Sequence, residues 1–495
     1  MFQLNSYKIS THFRWMRSNT KKLLPCFIGS VVICVLAMSE WSSNLVLAIL
    51  SVLFIILTIG QIPRKKKKAL VFTNRVIRLI VTVAAICMVA VIFVTSKCVT
   101  TSGKLVGIAI LTFACPFAVL LANTINKPLE LAINQYYIND AKKILQACPE
   151  LLTIGVTGSY GKTSVKYFLQ ILLSGEYESL MTPESYNTPM GVVKTVRGML
   201  RATHQVFVCE MGARRVGDIK ELCDIVHPKL GIITSVGPQH LETFHTIENV
   251  RKTKFELADS LPQEGILFLN LESENIKNYK RANCRVIGYG LSKDCDYYAT
   301  DISVSSKGTQ FTVCSPLGNR ETFSTKLIGF HNVINITGAI AVCNTLGISL
   351  SALKAQVRKL ECVPHRLQLI RRHGLTIIDD AYNSNPAGSK AALDVLSLFD
   401  GYRILVTPGM VELGESQERL NREFGVFSAA VCDYVILVGK KQTQSIYEGL
   451  LSKDYDRERI YVAEDLQDAL TRAYAVQSEG REKIILLEND LPDNF

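Results

Sequence analysis

The sequence predicts an α/β protein carried behind a membrane region: a mostly parallel sheet built around a phosphate-binding loop and preceded by four transmembrane helices. Three observations carry that prediction. A strand, a glycine loop and a helix follow one another around Gly158 to Lys162. Apolar, β-branched runs alternate with helical stretches from Leu151 onward. Four apolar runs long enough to span a bilayer crowd into the first 125 residues.

The membrane region comes first in the chain. Over 495 residues the mean hydropathy is +0.19, high for a soluble enzyme, and the apolar residues are front-loaded. The runs are Leu23 to Ser39, Leu45 to Ile62, Leu79 to Thr95 and Val106 to Ala122. Segments this apolar argue against buried core helices. A basic flank followed by three more spans, with no small-residue cleavage pattern, argues against a removable signal peptide.

Charge orients these spans, because lysine and arginine concentrate in cytoplasmic loops. Lys8, Arg14, Arg17, Lys21 and Lys22 precede the first span, and Arg64, Lys65 to Lys68, Arg75 and Arg78 separate the second from the third. The other two connections carry only Lys97 and Lys104. Both termini are therefore expected in the cytoplasm. Residues 1–150 hold 17 basic and 4 acidic side chains, whereas the remainder holds 38 and 40, so the net charge of +11 is membrane topology. Lys65 to Lys68 could also touch anionic lipid. The cytoplasmic part is not basic, which removes the electrostatic support for nucleic-acid binding. The 14 cysteines form no CxxC pair and no Cys/His metal spacing, as expected of small buried residues in reduced surroundings.

Residues 126–150 read as an amphipathic linker helix, with Leu129, Ala132, Ile133, Tyr136, Ile144 and Leu145 as its apolar positions. The core begins near Leu151. There Gly155-Val-Thr-Gly-Ser-Tyr-Gly-Lys-Thr-Ser164 follows one apolar run and opens another. Such a loop presents backbone N–H groups to phosphate at a helix N-terminus, Lys162 can reach the β/γ-phosphates, and the Thr163 hydroxyl can ligate Mg²⁺. The glycine spacing departs from the general P-loop pattern. Gly-Lys-Thr in this context nonetheless argues against a chance glycine-rich turn. The expected nucleotide contacts are Thr157, Gly158, Ser159, Gly161, Lys162, Thr163 and Ser164.

Further strands are expected at Gln205 to Glu210, Leu230 to Val236 and Gly265 to Asn270. Ligands of a parallel sheet gather at strand carboxyl ends. Glu210 closes its strand before a glycine turn, and His240 sits in the loop closing the next. Both are of the type that magnesium and phosphate need, though either could serve a plain structural role.

The loop variant Thr-Gly-Ser-x-Gly-Lys-Thr resembles that of the Mur ligases, the ATP-dependent amide-forming enzymes of peptidoglycan precursor synthesis. The resemblance implies that Thr163, Glu210 and His240 are magnesium ligands. It aligns Lys254, in Arg251-Lys-Thr-Lys-Phe-Glu256, with a lysine that many members carry as a carbamate; a solvated lysine is the alternative. In Gly329-Phe-His-Asn-Val-Ile-Asn335, Asn332 becomes the candidate base contact. Val363-Pro-His-Arg-Leu-Gln-Leu369 resembles the hinge whose arginine, here Arg366, reaches the nucleotide. Asp379-Asp-Ala-Tyr-Asn-Ser-Asn-Pro386 is similar to a segment of the D-alanyl-D-alanine-adding branch, with Asp380 on ribose and Tyr382, Asn383 and Asn385 by the base. Later strand-to-glycine turns, Arg403 to Glu415 and Asp433 to Gly439, resemble the family's Rossmann-like third domain.

Hydropathy and periodicity thus set a membrane domain at residues 1–125 and a linker at 126–150, and the resemblance implies a Mur ligase central ATP-binding domain at 151–362 and a Rossmann-like C-terminal domain at 363–495. The resemblance implies ATP and Mg²⁺ as cofactors, and the apolar runs with their basic flanks predict a multi-pass protein of a bacterial-type cell membrane with cytoplasmic catalytic domains. Its partners would be membrane lipids, a UDP-linked or lipid-linked cell-wall precursor, and an amino acid or dipeptide donor. An acyl phosphate would link ATP to the new amide, with Lys162, His240 and Lys254 in catalytic positions. Two features depart from the family. No soluble UDP-gripping domain is read before Leu151, and in place of the usual Lys-Gly-Ser-Arg-like turn after the last strand stands Lys483-Ile-Ile-Leu-Leu-Glu-Asn-Asp-Leu-Pro-Asp493, with an acidic, proline-containing turn. A polyglutamate-type synthetase and a non-catalytic ATP-binding scaffold are the alternatives; the Tyr-Asn-Ser-Asn-Pro segment and the two-domain length after Leu151 favour the cell-wall ligase over the first, and the presence of Lys162, Thr163, Glu210 and His240 argues against the second.

Overall fold

A computed structural model describes residues 71–277, 283–382 and 385–489, together with Tyr7, Ile9, His12, Phe13 and Arg17. The first two expected spans, Lys65 to Lys68, Asn383 and the turn beyond Asn489 lie outside the described residues. The chain divides into two compact units that meet at Tyr136 and Tyr137.

In the first unit, α1 (Asn74–Lys97) contains the third expected span. The Thr73 side chain caps it by accepting from the Val76 N–H at 3.3 Å, and Lys97 lies in its last turn, where a cation suits the helix dipole. Among the described residues it is the one helix long and apolar enough to cross a membrane, with a mean hydropathy of 2.8 over its most apolar window. Of its side chains only Val76 is buried, while Val89, Ile92 and Phe93 are exposed.

The fourth expected span and the expected linker turn out to be one element, α2 (Thr101–Gln146). The drop in hydropathy after Ala122 marks a change of surroundings, which side chains report. It does not interrupt backbone hydrogen bonding, which is what ends a helix. Gly107 lets α1 and α2 approach closely, since a Cβ there would stand 2.3 Å from Val94 Cγ1. A bidentate pair joins Arg78 to Glu130, with nitrogen–oxygen distances of 2.7 and 2.9 Å.

The second unit holds two sheets. The first has nine strands in the order β2-β3-β1-β4-β5-β6-β7-β8-β9: β1 (Leu152–Thr157), β2 (Ser179–Met181), β3 (Val206–Glu210), β4 (Leu230–Ile233), β5 (Ile266–Asn270), β6 (Arg285–Gly290), β7 (Tyr297–Ser305), β8 (Gly308–Cys314) and β9 (Arg320–Thr325). Strands β1 to β6 are parallel, and β7 to β9 extend the edge as antiparallel hairpins. The parallel strands read as continuous apolar runs because both faces are covered. Helices α3 (Lys162–Leu173), α7 (Phe330–Thr345) and α8 (Leu350–Arg358) pack on one face, around Val165, Phe168, Val333 and Leu353. On the other lie α4 (Pro189–Met199), α5 (Asp218–Val226), α6 (Ile247–Asp259) and the end of α2, around Val193, Ile219, Val250 and Ala141.

The second sheet runs β10-β11-β15-β12-β13-β14: β10 (Gln368–Arg372), β11 (Leu375–Asp380), β12 (Tyr402–Thr407), β13 (Tyr434–Val438), β14 (Ile460–Ala463) and β15 (Lys483–Glu488). All but β10 are parallel. Helices α9 (Pro386–Ser397), α10 (Gln417–Val431), α11 (Gln444–Leu451) and α12 (Leu466–Ala475) connect its strands. Strand β15 returns between β11 and β12, so the sheet is doubly wound. Asp380 and Glu488 are register partners at its carboxyl edge.

Candidate active site

The glycine loop leaves β1 inside the first sheet, between β3 and β4. Two positions there demand glycine. Gly158 has φ +151°, and a Cβ on it would stand 2.1 Å from Thr234 Oγ1; Gly161 has φ +80°, and its Cβ would stand 2.9 Å from Asn335 Oδ1. Hydrogen bonds to the β4 end pin the rest. The Ser159 N–H donates to Ser235 O at 2.8 Å, the Tyr160 N–H to Ser235 Oγ at 2.7 Å and the Tyr160 hydroxyl to Pro238 O at 2.6 Å. Two predicted contacts are occupied by the protein itself: the Thr157 hydroxyl donates to Met211 O and that of Ser159 to Gly237 O. They shape the loop. Helix α3 then starts with no side-chain cap at Gly161, leaving its first-turn N–H groups without one. The half-buried Lys162 folds back over the loop, donating to Gly158 O at 2.6 Å and Ser159 O at 3.1 Å.

One helical position on, the Thr163 hydroxyl donates to Glu210 Oε1 at 3.2 Å, and Asn187 Nδ2 donates to the same oxygen at 3.1 Å. Lys166 Nζ lies 2.9 Å from Glu210 Oε2 as a charge pair, off the direction of a hydrogen bond, and that buried oxygen has no hydrogen-bonding partner. Lys166 is itself fully buried and donates to Glu184 O at 2.6 Å. Burial would raise the Glu210 pKa, but the cations of Lys166 and Lys162 outweigh it and the carboxyl is held below its usual range. Burial pushes Lys162 down to about 8, with Glu210 opposing that shift and Arg366 adding to it.

His240 closes the β4 loop in left-handed backbone, φ +50°, and its Nδ1 lies 2.5 Å from Oε2 of Glu412 in the second-sheet domain. Burial lowers the His240 pKa, the Glu412 carboxylate partly restores it, and Lys162 is among the cations that depress it. Lys254, on α6, is 1% exposed. Burial and then the Lys162 cation push its pKa well down against Asp218, Glu256 and Glu210. Lys162 thus shares one electrostatic neighbourhood with Glu210, His240, Lys254 and Arg366.

Asn332 is buried on α7, where its Nδ2 donates to Ile328 O at 2.9 Å. Arg366 lies in a strained hinge between His365 (φ +59°) and Leu367 (φ +50°), its guanidinium 4.7 Å from the Tyr382 ring centre. The hinge is tied to β11, with Leu367 N–H on Asp380 Oδ1 at 3.2 Å and His365 Nδ1 against Asp379 Oδ2 at 2.7 Å. Burial, reinforced by Glu488, raises Asp380 to about 7. Asn385 caps α9, its Oδ1 accepting from the Gly388 N–H at 2.8 Å. Glu488, the last residue of β15, is buried and accepts from the Ser389 and Thr407 hydroxyls at 2.6 and 2.7 Å.

The predicted residues Lys162, Thr163 and Glu210 therefore converge. Lys166, Asn187, Asn335 and Glu412 were missed. Lys166 had a signal, falling one turn after Lys162 on the same helix. Asn187 and Glu412 come from loops distant in sequence and had none.

The residues fit magnesium and a polyphosphate. A buried carboxylate oxygen lacks a hydrogen bond, a hydroxyl and an amide crowd its twin, and the glycine cradle would be filled by any Cβ. Among the described residues no three His, Cys, Asp or Glu side chains cluster as a self-sufficient metal site. A magnesium ion here would draw ligands from phosphate and water, as that ion commonly does.

Residues 156–343 match the Mur ligase middle domain, and residues 365–487 match the Mur ligase glutamate ligase domain. The UDP-N-acetylmuramoyl-tripeptide--D-alanyl-D-alanine ligase of Bacillus subtilis (strain 168) is 32% identical over 331 residues, 66% of this chain and 71% of that protein. Its counterpart from Escherichia coli (strain K12) is also 32% identical, over 64% of this chain and 72% of that protein. Two solved structures share the fold. A MurF crystal structure from Acinetobacter baumannii aligns with a TM-score of 0.65 at 24% identity, covering 73% of this chain and 78% of that one. A MurF ligase from Thermotoga maritima in complex with ADP gives 0.64 at 24%, covering 72% and 80%.

Proposed function

Because the chain belongs to the Mur ligase family, whose members are ATP- and Mg²⁺-dependent ligases forming carbon–nitrogen bonds, we propose that it adds a D-alanyl-D-alanine-type dipeptide or an amino acid to a peptidoglycan precursor. The observation that carries this reading is the convergence of Lys162, Thr163 and Glu210 on one sheet edge, with Arg366 approaching from the second domain.

In this reading the glycine loop and Lys162 hold the ATP phosphates in line with the acceptor carboxylate. A carboxylate oxygen attacks the γ-phosphorus, the bond to the β-phosphate oxygen breaks, and ADP leaves an acyl phosphate. The donor amine then attacks the acyl carbon, releasing phosphate and giving its proton to solvent. Such chemistry needs alignment and charge neutralisation above all. Thr163, Glu210 and His240 would hold magnesium, which when bound supplies positive charge against the phosphate oxygens. Lys254 joins them only as a carbamate: its neutral amine adds to CO₂, loses a proton to solvent and becomes an anionic oxygen donor. Its burial and lowered pKa favour the neutral amine that this addition requires. Asn332, Arg366, Asp380 and Asn383 complete the nucleotide site, and closure of the second domain shelters the acyl phosphate from water.

The same reading anchors the enzyme in a membrane through four spans, of which α1 has the length and apolarity required. Sharing a surface raises the effective concentration of a lipid-linked acceptor and could replace a uridine-binding domain. The test measures kcat/KM for UDP-linked and polyprenyl-linked acceptors with the full chain in nanodiscs. Preference for the lipid-linked acceptor is expected; preference for the UDP-linked one reduces the spans to an anchor.

A further inference from the structure

His240 and Glu412 meet from two domains, and nothing in the proposed chemistry requires Glu412. Its Oε2 stands 2.5 Å from His240 Nδ1, while its Oε1 is 3.9 Å from Nη2 of Arg214. Arg214 lies in the turn leaving β3, four residues after Glu210. One carboxylate therefore touches both loops that carry the candidate metal ligands. Both partners are non-glycine residues in left-handed backbone, φ +50° for His240 and +62° for Glu412, a conformation that persists where its surroundings enforce it. The Glu412 loop is rigid within its own domain. Asn421 both accepts from the Met410 N–H at 2.8 Å and donates to Met410 O at 2.9 Å, the Gly409 N–H donates to Thr407 Oγ1 at 3.0 Å, and Asn489 Nδ2 donates to Gly409 O at 2.6 Å. Both paired side chains are largely buried, His240 15% and Glu412 22% exposed, so this is no solvated surface pair.

We infer that Glu412 is a positioning residue for the metal site, supplied by the C-terminal domain, which fixes His240 with Nδ1 protonated and Nε2 free to ligate, and thereby couples magnesium binding to domain closure. The inference rests on the reading of His240 as a metal ligand. A histidine ligand commonly gives its second ring nitrogen to a carboxylate, which sets tautomer and orientation. Here that carboxylate arrives from another domain, so the site is complete only when the domains are together. Coupling is reciprocal: magnesium favours closure as strongly as closure tightens magnesium.

The test uses the full chain in detergent micelles and a fluorescent, non-hydrolysable ATP analogue, with binding followed as Mg²⁺ is titrated. Hydrogen exchange of residues 408–416 is the second readout. Glu412→Ala should raise the half-saturating Mg²⁺ concentration roughly 10–100-fold, the usual effect of losing such a partner, without altering analogue affinity in the absence of Mg²⁺. Glu412→Gln, which keeps an acceptor oxygen, should shift it less. His240→Ala should shift it too, and the double variant should be no worse than His240→Ala. Protection of residues 408–416 on adding Mg²⁺ should appear in the wild type and vanish in Glu412→Ala. Unchanged Mg²⁺ dependence in both Glu412 variants while His240→Ala is impaired would overturn the inference alone. No effect of His240→Ala would remove the ligand reading on which it stands. Equal thermal midpoints for wild type and Glu412→Gln keep these outcomes free of a folding defect.

Discussion

Replacing Lys166 by Met should destabilise the middle domain and disable its metal site. Lys166 is fully buried, lies 2.9 Å from Glu210 Oε2, and donates to Glu184 O at 2.6 Å. Its removal leaves a buried carboxylate with Lys162 as its remaining cation and orphans a carbonyl in the 182–188 loop. Breaking a buried pair from one side costs about 3–5 kcal/mol. For a domain of this size that lowers the midpoint by roughly 6–20 °C, at about 2–4 °C per kcal/mol. A fluorogenic thiol dye reports the transition, because Cys209, Cys223 and Cys343 are buried in this domain. The depression of the Glu210 pKa should also weaken, since burial is then opposed by Lys162 and the Asn187 hydrogen bond without Lys166, and Mg²⁺ affinity should fall. In Lys166→Met/Glu210→Gln the uncompensated charge is gone, so part of the midpoint should return. A midpoint within about 2 °C of wild type, or strict additivity in the double variant, would show that Lys166 does not compensate the Glu210 charge.

Other outcomes follow from the same geometry. Gly158→Ala places a Cβ 2.1 Å from Thr234 Oγ1 at φ +151°, so it should cost about 1–3 kcal/mol and weaken nucleotide binding, checked by thermal denaturation and analogue titration. Lys254 should give a carbamate carbon resonance when the protein is equilibrated with ¹³C-bicarbonate, and Lys254→Ala should lose both that signal and most activity. Asp380, raised to about 7, binds a proton in the folded state that the unfolded chain has released above its ordinary value. Its contribution to stability is thus present at low pH and lost as pH rises through about 7. Asp380→Asn should remove that loss, raising the midpoint at pH about 8 relative to pH about 5 compared with wild type.

How much of this was legible in the sequence depended on the range of the cause. The loop at Gly158 to Thr163 is local, and its glycines could be read directly because backbone sterics leave no substitute. Strands β1, β3, β4 and β5 were visible as apolar runs because both faces of that sheet are covered. The hairpins β7 to β9 were not, since strands such as β7 alternate buried and exposed residues and resemble polar loop. The break expected between the fourth span and the linker failed because hydropathy records environment rather than hydrogen bonding. Within the site, Lys162, Thr163 and Glu210 announced themselves through motif and strand end. Glu412 could not, because its partner lies 172 residues away and only the docking of two domains creates the pair.

In the proposed reaction ATP cleavage is coupled to amide formation at the Lys162 site. Its most direct test is ADP release by the full chain in nanodiscs with Mg²⁺, a muramoyl-tripeptide acceptor and D-alanyl-D-alanine, each omitted in turn, alongside detection of the ligated product. The expected result is release that requires acceptor, donor and Mg²⁺ together, one amide formed per ADP, and a loss of at least roughly 10²-fold in Lys162→Ala. ATP turnover in Lys162→Ala within about twofold of wild type, or ADP release indifferent to acceptor and donor, would contradict it.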